Sequence, residues 1–216
     1  MLKLLILDMD GLMLDTEQLY FSAFSTVCDR HGLSDCYDIY LKTVGADDDY
    51  ERMVYTTSFP HLDGALFHAE VQAVCAQLMD AGRFQVKPGL FELLDAVDQM
   101  GSVRKAVVTS NREEVAAKLL SQAGILDRLD GGVFREMVSR GKPAPDAHLF
   151  CCRKFSVSPQ EALVLEDSEY GLLAAQAAGI PVIAVPDLIE PSPQTLSKCL
   201  ARCGRLDDVI PYLRNF

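Results

Sequence analysis

The sequence predicts a doubly wound α/β domain with a mostly parallel sheet, interrupted by an all-helical module. Three observations carry that prediction. Short apolar runs bounded by polar or turn residues recur at Leu4–Leu7, Ala106–Thr109, Ala162–Leu165 and Val182–Val185. This is the pattern of parallel strands buried on both faces. Helical apolar spacing fills the gaps between the later runs, and strands that alternate with helices build such a sheet. The stretch from about Thr16 to Phe84 breaks the alternation, because it carries helical stripes and no convincing strand.

In chain order, the first run stops at Asp8 and is too short for the apolar region of a signal peptide. Tyr20, Ala23, Phe24, Val27 and Cys28 then form one stripe, and Phe67, Val71, Val74, Cys75 and Leu78 another. The α/β pattern resumes near Val86-Lys87-Pro88-Gly89. The expected division is a core of residues 1–15 and 86–216 and a helical domain of residues 16–85. Its hinges fall near Leu14–Thr16 and Ala81–Val86. Leu90, Leu93, Leu94 and Val97 keep helical spacing behind Pro88, read as a first-turn residue. Ala116, Leu119, Leu120 and Ala123 do the same and end at Gly124, a C′ glycine. Pro191 and Pro193 mark a loop before a helix expected around Leu196–Cys203, with Cys199 and Cys203 on its apolar stripe. Pro211 limits the helix that follows.

Composition excludes several classes of function. The 216 residues are 49% hydrophobic and 24% charged, enough to bury a sizeable core. Against 20 basic residues stand 31 acidic ones, a formal net charge of -11. Nucleic acid and anionic membranes repel such a chain, so neither is an expected partner. No apolar segment approaches the length of a membrane span. Seven irregularly spaced cysteines with no CxxC pair make no disulfide framework, which predicts reduced, buried thiols in a soluble, cytoplasmic protein.

The chemistry gathers at the strand ends. In open α/β sheets the active crevice lies beyond the carboxyl ends of the strands. Asp8 and Asp10 follow the first run, Thr109-Ser110-Asn111 the second and Glu166-Asp167-Ser168 the third. Asp8, Glu166 and Asp167 would repel one another unless a cation sat between them. Carboxylates without His or thiolate favour magnesium. Thr109-Ser110-Asn111 precedes a helix, with Glu113 or Glu114 placed to complete a capping box. A plain N-cap is the ordinary reading; an anion site at the helix N-terminus is the functional one. Lys142, in the proline-fixed loop Gly141-Lys142-Pro143-Ala144-Pro145-Asp146, is a candidate phosphate clamp.

These four segments, in this order, resemble the haloacid dehalogenase superfamily over nearly the whole chain. Asp8-Met9-Asp10-Gly11 through Asp15-Thr16 resembles its first motif and Thr109-Ser110-Asn111 its second. Lys142 resembles the third, and Glu166-Asp167-Ser168 with Gly171 the fourth. The helical stretch is similar to the cap of the phosphatase and β-phosphoglucomutase subgroup. The resemblance implies that Asp8 attacks phosphorus to form an aspartyl-phosphate. Asp10 is then the acid and base that serves the leaving oxygen and the attacking water. Asp8, the backbone carbonyl of Asp10, Glu166 and Asp167 are the implied magnesium ligands. Thr109, Ser110, Asn111 (through its N–H) and Lys142 form the implied phosphate site. A cis peptide between Lys142 and Pro143 is also implied.

The same scaffold hosts phosphatases, mutases and dehalogenases. A dehalogenase lacks the second acid of the first motif, and Asp10 is present. A phosphomutase must hold a second phosphate, yet the loop Thr43-Val44-Gly45-Ala46-Asp47-Asp48-Asp49 is acidic. Tyr20 also stands where mutases carry a cap histidine. The expected activity is therefore a phosphatase acting on a small phosphate monoester, a sugar or polyol phosphate, with a mutase as the alternative. An inert binding scaffold would have lost Asp8, Asp10, Lys142 or the acidic pair, and none is missing. Tyr20, Phe24 and the loop with Gly45, Ala46 and Asp47 are the candidates for touching the leaving group. Tyr20 and Phe24 also lie on the apolar stripe, which assigns them to packing.

Overall fold

A computed structural model of the protein describes residues 1–44, 48–214 and 216. The described residues divide into two compact units, Met1–Asp15 with Gln85–Phe216, and Thr16–Phe84.

Strand β1 (Leu4–Leu7) opens the first unit, and all four of its side chains are buried. The second unit follows as four helices, α1 (Thr16–Arg30), α2 (Tyr37–Leu41), α3 (Asp48–Ser58) and α4 (Gly64–Asp80). Helices α1 and α3 both pack on α4. The expected stripes account for this: Ala23, Phe24, Val27 and Cys28 of α1 are buried, as are Phe67, Val71, Val74 and Cys75 of α4. Aromatic rings fill the interior. Phe24 stacks on Tyr55 with ring centroids 5.6 Å apart, and Tyr55 meets Phe67 edge-on at 5.1 Å, both favoured arrangements. Tyr40 keeps its hydroxyl satisfied by donating to the Glu17 carbonyl and carboxylate, both at 2.8 Å. Asp63 caps α4 by accepting from the N–H groups of Ala65 and Leu66.

The chain then returns to the first unit with α5 (Leu90–Gln99), β2 (Arg104–Val108), α6 (Glu113–Gln122), β3 (Gly131–Val133), α7 (Asp146–Lys154), β4 (Ala162–Glu166), α8 (Glu169–Ala177), β5 (Val182–Ala184), α9 (Pro193–Leu196), β6 (Ala201–Arg202) and α10 (Ile210–Leu213). The sheet is six-stranded and parallel, in the order β3-β2-β1-β4-β5-β6. This is the expected doubly wound α/β class. One face packs Leu4, Ile6, Val108 and Val164 against Cys151, Leu172 and Ala175. Each fully buried aliphatic side chain contributes about 1.5–3 kcal/mol by leaving water.

Register decides where the chemistry lands. Leu7 lies opposite both Val107 and Leu165, so the chain leaves β1, β2 and β4 at nearly one level. Asp8, Thr109 and Glu166 therefore emerge at the same edge. The strand order also reverses about β1, the switch point at which open α/β sheets form their crevice.

Several local expectations are corrected. The helix expected around Leu196–Cys203 is a single turn, α9, followed by the short strand β6. The N–H groups of Leu200 and Cys203 donate to Val182 and Ala184, both at 2.8 Å, so the open edge of β5 outcompetes helix formation. Leu200 is 53% exposed and lies on no buried stripe. Strand β3, with Gly131 and Gly132, has little strand propensity of its own and forms on the edge of β2. Pro88 precedes α5 rather than entering it, because Gly89, at φ 87°, is the N-cap. Gly124, at φ 70°, does follow the C-cap of α6. All seven cysteines are free, and only Cys199 is not buried. Among the described residues no helix is long and apolar enough to cross a membrane.

Candidate active site

The loop after β1 is wound tightly on itself. Met13 and Leu14 donate their N–H groups to the Met9 carbonyl at 3.0 and 2.9 Å, and Gly11 donates to Leu14 at 2.9 Å. Gly11 holds φ 76°, which favours glycine. A Cβ there would lie 2.2 Å from Asp167 Oδ2, so the missing side chain also lets the first and fourth segments touch. Gly171 does the same for Glu166, since its Cβ would stand 2.0 Å from Glu166 Oε2.

Three carboxylates converge here. Asp8, Glu166 and Asp167 each offer an oxygen, and these oxygens all lie within 4.8 Å of one another. Lys142, which follows Gly141 and precedes a cis peptide to Pro143, reaches in from the loop before α7. Its ammonium donates to Asp8 Oδ1 and, at 2.6 Å, to Glu166 Oε2. Its side chain is 11% exposed, and that of Glu166 only 1%. The Ser168 hydroxyl donates to Glu166 Oε1 at 2.7 Å while accepting the Gly171 N–H as N-cap of α8.

One cation among three acids, two buried and Asp167 half-buried, leaves an uncompensated negative charge. Burial, then the neighbouring Glu166, pushes the Asp8 carboxyl well above the usual carboxylate range, against the pull of Lys142. Burial, Glu166 and Asp8 push Asp167 up in the same way. Burial acts to raise Glu166 too, but Lys142 and the Ser168 hydroxyl outweigh it and hold this group below its ordinary value. Burial acts to lower Lys142, and its two carboxylate partners outweigh that, so the ammonium persists. Asp167 Oδ1 is buried with no hydrogen-bond partner among the described residues. An all-oxygen donor set, an excess of negative charge and an orphaned carboxylate oxygen fit a hard divalent cation.

The second segment departs from its sequence reading. Helix α6 has Arg112 as its N-cap with no side-chain cap, and the Glu113 N–H is met by Glu136 Oε1 at 3.0 Å. The expected capping box is absent. Thr109 and Asn111 turn instead to Asp10, whose Oδ2 receives Asn111 Nδ2 at 2.6 Å and Thr109 Oγ1 at 3.3 Å. Ser110 is exposed.

The structure thus brings Asp8, Asp10, Thr109, Asn111, Lys142, Glu166 and Asp167 to one sheet edge. In the helical unit, Tyr20 is half-buried on α1. Phe24, 1% exposed within the aromatic cluster, packs rather than meets a ligand. Gly45, Ala46 and Asp47 lie outside the described residues. Sequence reasoning missed His148 of α7, which is 1% exposed. Burial, then the positive charge of Lys142, pushes its imidazole down to about 3, so it is neutral at ordinary pH. Its place six residues after Lys142 gave no periodic signal.

A parallel Rossmann-like sheet with four motif segments at one edge defines a class, and similarity to known proteins agrees with it. The family model described as haloacid dehalogenase-like hydrolase matches residues 5–185. The chain belongs to that family of enzymes. It is 33% identical over 186 residues to the fructose-1-phosphate phosphatase YqaB of Escherichia coli, covering 84% of this chain and 95% of that one. It is 31% identical over 189 residues to hexitol phosphatase A of the same organism, covering 83% and 81%. A solved haloacid dehalogenase-like protein of Agrobacterium tumefaciens superimposes with a TM-score of 0.83 at 19% identity, over 100% of this chain and 99% of that one, a likeness of fold.

Proposed function

We propose that this protein is a magnesium-dependent phosphatase that hydrolyses a small phosphate monoester, of sugar or polyol type, through an aspartyl-phosphate on Asp8. The observation that carries the reading is the meeting of Asp8 with Lys142, Glu166 and Asp167 at the β1/β4 edge, beside Asp10. The names of the relatives, two of which are phosphatases of phosphorylated sugars or hexitols, support the substrate class.

Each residue has a role in this reading. Asp8 supplies the oxygen that bonds to the phosphorus of the ester as the ester P–O bond breaks. Lys142 offsets the charge that develops on the phosphoryl oxygens, with the exposed Ser110 as a further donor, while the Asn111 N–H, expected as another, donates to Thr109 Oγ1 at 3.1 Å. Asp10 gives a proton to the leaving oxygen and later takes one from water. Asp8, Glu166, Asp167 and the backbone carbonyl of Asp10 would hold the magnesium ion, which when bound supplies positive charge against the carboxylates and the phosphate. The helical unit, with Tyr20 and the loop of Gly45, Ala46 and Asp47, is assigned the choice of leaving group.

The test is phosphate release from p-nitrophenyl phosphate, fructose 1-phosphate, hexitol phosphates, glycolate phosphate and nucleoside monophosphates, with and without magnesium. Turnover should require the metal, favour the sugar and hexitol esters, and fall by at least about a thousandfold in Asp8→Asn. Undiminished release by Asp8→Asn would overturn the nucleophile. Conversion of β-glucose 1-phosphate to glucose 6-phosphate at a comparable rate, with glucose 1,6-bisphosphate present, would favour a mutase.

A further inference from the structure

We propose that Asn111 is a positioning residue for Asp10: its amide holds the carboxyl group through Oδ2 and fixes its orientation for proton exchange. The proposal deepens the phosphatase reading and rests on Asp10 being its acid and base.

The geometry sets which donors face Asp10 Oδ2. Thr109 Oγ1 accepts from the Asn111 backbone N–H at 3.1 Å and from Asn111 Nδ2 at 3.4 Å. Two donors pointing at one hydroxyl oxygen leave its own proton to be given away, and the acceptor within reach is Asp10 Oδ2 at 3.3 Å. Asn111 Nδ2 reaches the same Oδ2 at 2.6 Å. The amide must present its nitrogen there, because its oxygen would repel the carboxylate. Both donors therefore converge on Asp10 Oδ2.

Among the described residues, Thr109 and Asp10 are the partners of the Asn111 amide nitrogen. Helix α6 is capped without it, since Glu136 from the segment after β3 meets the Glu113 N–H. The Asn111 carbonyl accepts from the Arg135 N–H at 3.0 Å, which anchors the residue from its other side. A side chain free of helix capping, with its backbone pinned, is fixed against Asp10.

In the first half-reaction, the Asp8 oxygen bonds to phosphorus as the ester P–O bond breaks, and the Asp10 proton passes to the departing oxygen. In the second, water oxygen bonds to phosphorus as the Asp8–phosphorus linkage breaks, and Asp10 recovers a proton from that water. An amide neither gains nor loses a proton in this cycle. Asn111 can donate to Oδ2 at both stages, keeping the carboxyl group from rotating between them.

The experiment compares kcat/KM of wild type and Asn111→Ala on two esters in magnesium. p-Nitrophenolate departs as a stable anion, whereas a hexitol alkoxide needs the proton. The variant should lose about threefold on p-nitrophenyl phosphate and about thirtyfold or more on a hexitol phosphate, part of the 10²–10⁴ that acid–base catalysis supplies. Equal losses on both esters, or none, would overturn the proposal. A wild type inert toward every ester would instead overturn the phosphatase reading. The contact has its own readout in that event. The Asp10 carboxyl ¹³C resonance, assigned by its disappearance in Asp10→Asn, should shift in metal-free Asn111→Ala, and an unmoved resonance would refute the positioning whatever the activity.

Discussion

The two units bury polar groups on opposite terms. In the helical unit the interior is aromatic, and its polar tips are answered locally, as Tyr40 is by Glu17. In the α/β unit three carboxyl groups crowd one sheet edge with a single ammonium among them. The first arrangement lowers the free energy of folding. The second raises it in the metal-free protein, since Asp8 and Asp167 are pushed toward their neutral forms. Substitutions should therefore differ in kind: those in the aromatic cluster lose packing, and those at the edge break or relieve charge pairs.

The largest effect on stability is expected in the helical unit. Phe67, 1% exposed and in contact with Phe24, Tyr55 and Phe59, should cost about 3–5 kcal/mol when replaced by alanine. Five of the seven tyrosines, residues 20, 37, 40, 50 and 55, lie in this unit, and the chain has no tryptophan. Tyrosine fluorescence during urea unfolding thus follows this unit above the other. A shift below about 1 kcal/mol would break the contrast.

A smaller effect belongs to His148. Its folded value near 3 lies below the ordinary one, so between those values the unfolded chain binds the extra proton and stability rises with pH. Full stability from this group is present above about pH 6.5 and is lost progressively toward pH 3. Between pH 7 and 5 the loss is about 2 kcal/mol. His148→Leu should flatten the urea midpoint against pH by that amount. An unchanged slope would show that the imidazole is not held neutral.

The smallest effect has the opposite sign. Asp8→Asn removes one of the crowded charges while Lys142 keeps Glu166 as a partner. Without metal the variant should be more stable than wild type by about 1 kcal/mol at pH 7, although the proposed function has it lose turnover. A destabilised Asp8→Asn would mean that the Asp8–Lys142 pair outweighs the repulsion.

The buried strands were legible because each is apolar on both faces, and the site because its residues follow those strands directly. Strands β3 and β6 were not, since Gly131-Gly132 and Ala201-Arg202 become strands only when β2 and β5 offer open backbone edges. The role of Asn111 was hidden for a different reason. Its local context, ahead of Glu113 and Glu114, spelled a helix cap, while its actual partner Asp10 stands 101 positions earlier. Periodicity reports which face of an element is buried. It does not report which of two hydrogen-bonding partners a short polar side chain selects.

Asp15 donates its N–H to the Gln85 carbonyl at 2.8 Å, and Leu14 pairs antiparallel with Val86. The outgoing and returning chains are thus fastened together where they part. To the α/β chain, the whole helical unit is topologically the loop of a hairpin, and a short turn from Asp15 to Gln85 would close the same ring at modest entropic cost. Such a junction lets one module be exchanged for another of unrelated sequence without redrawing the sheet. The ancestry of the two units can accordingly be read separately.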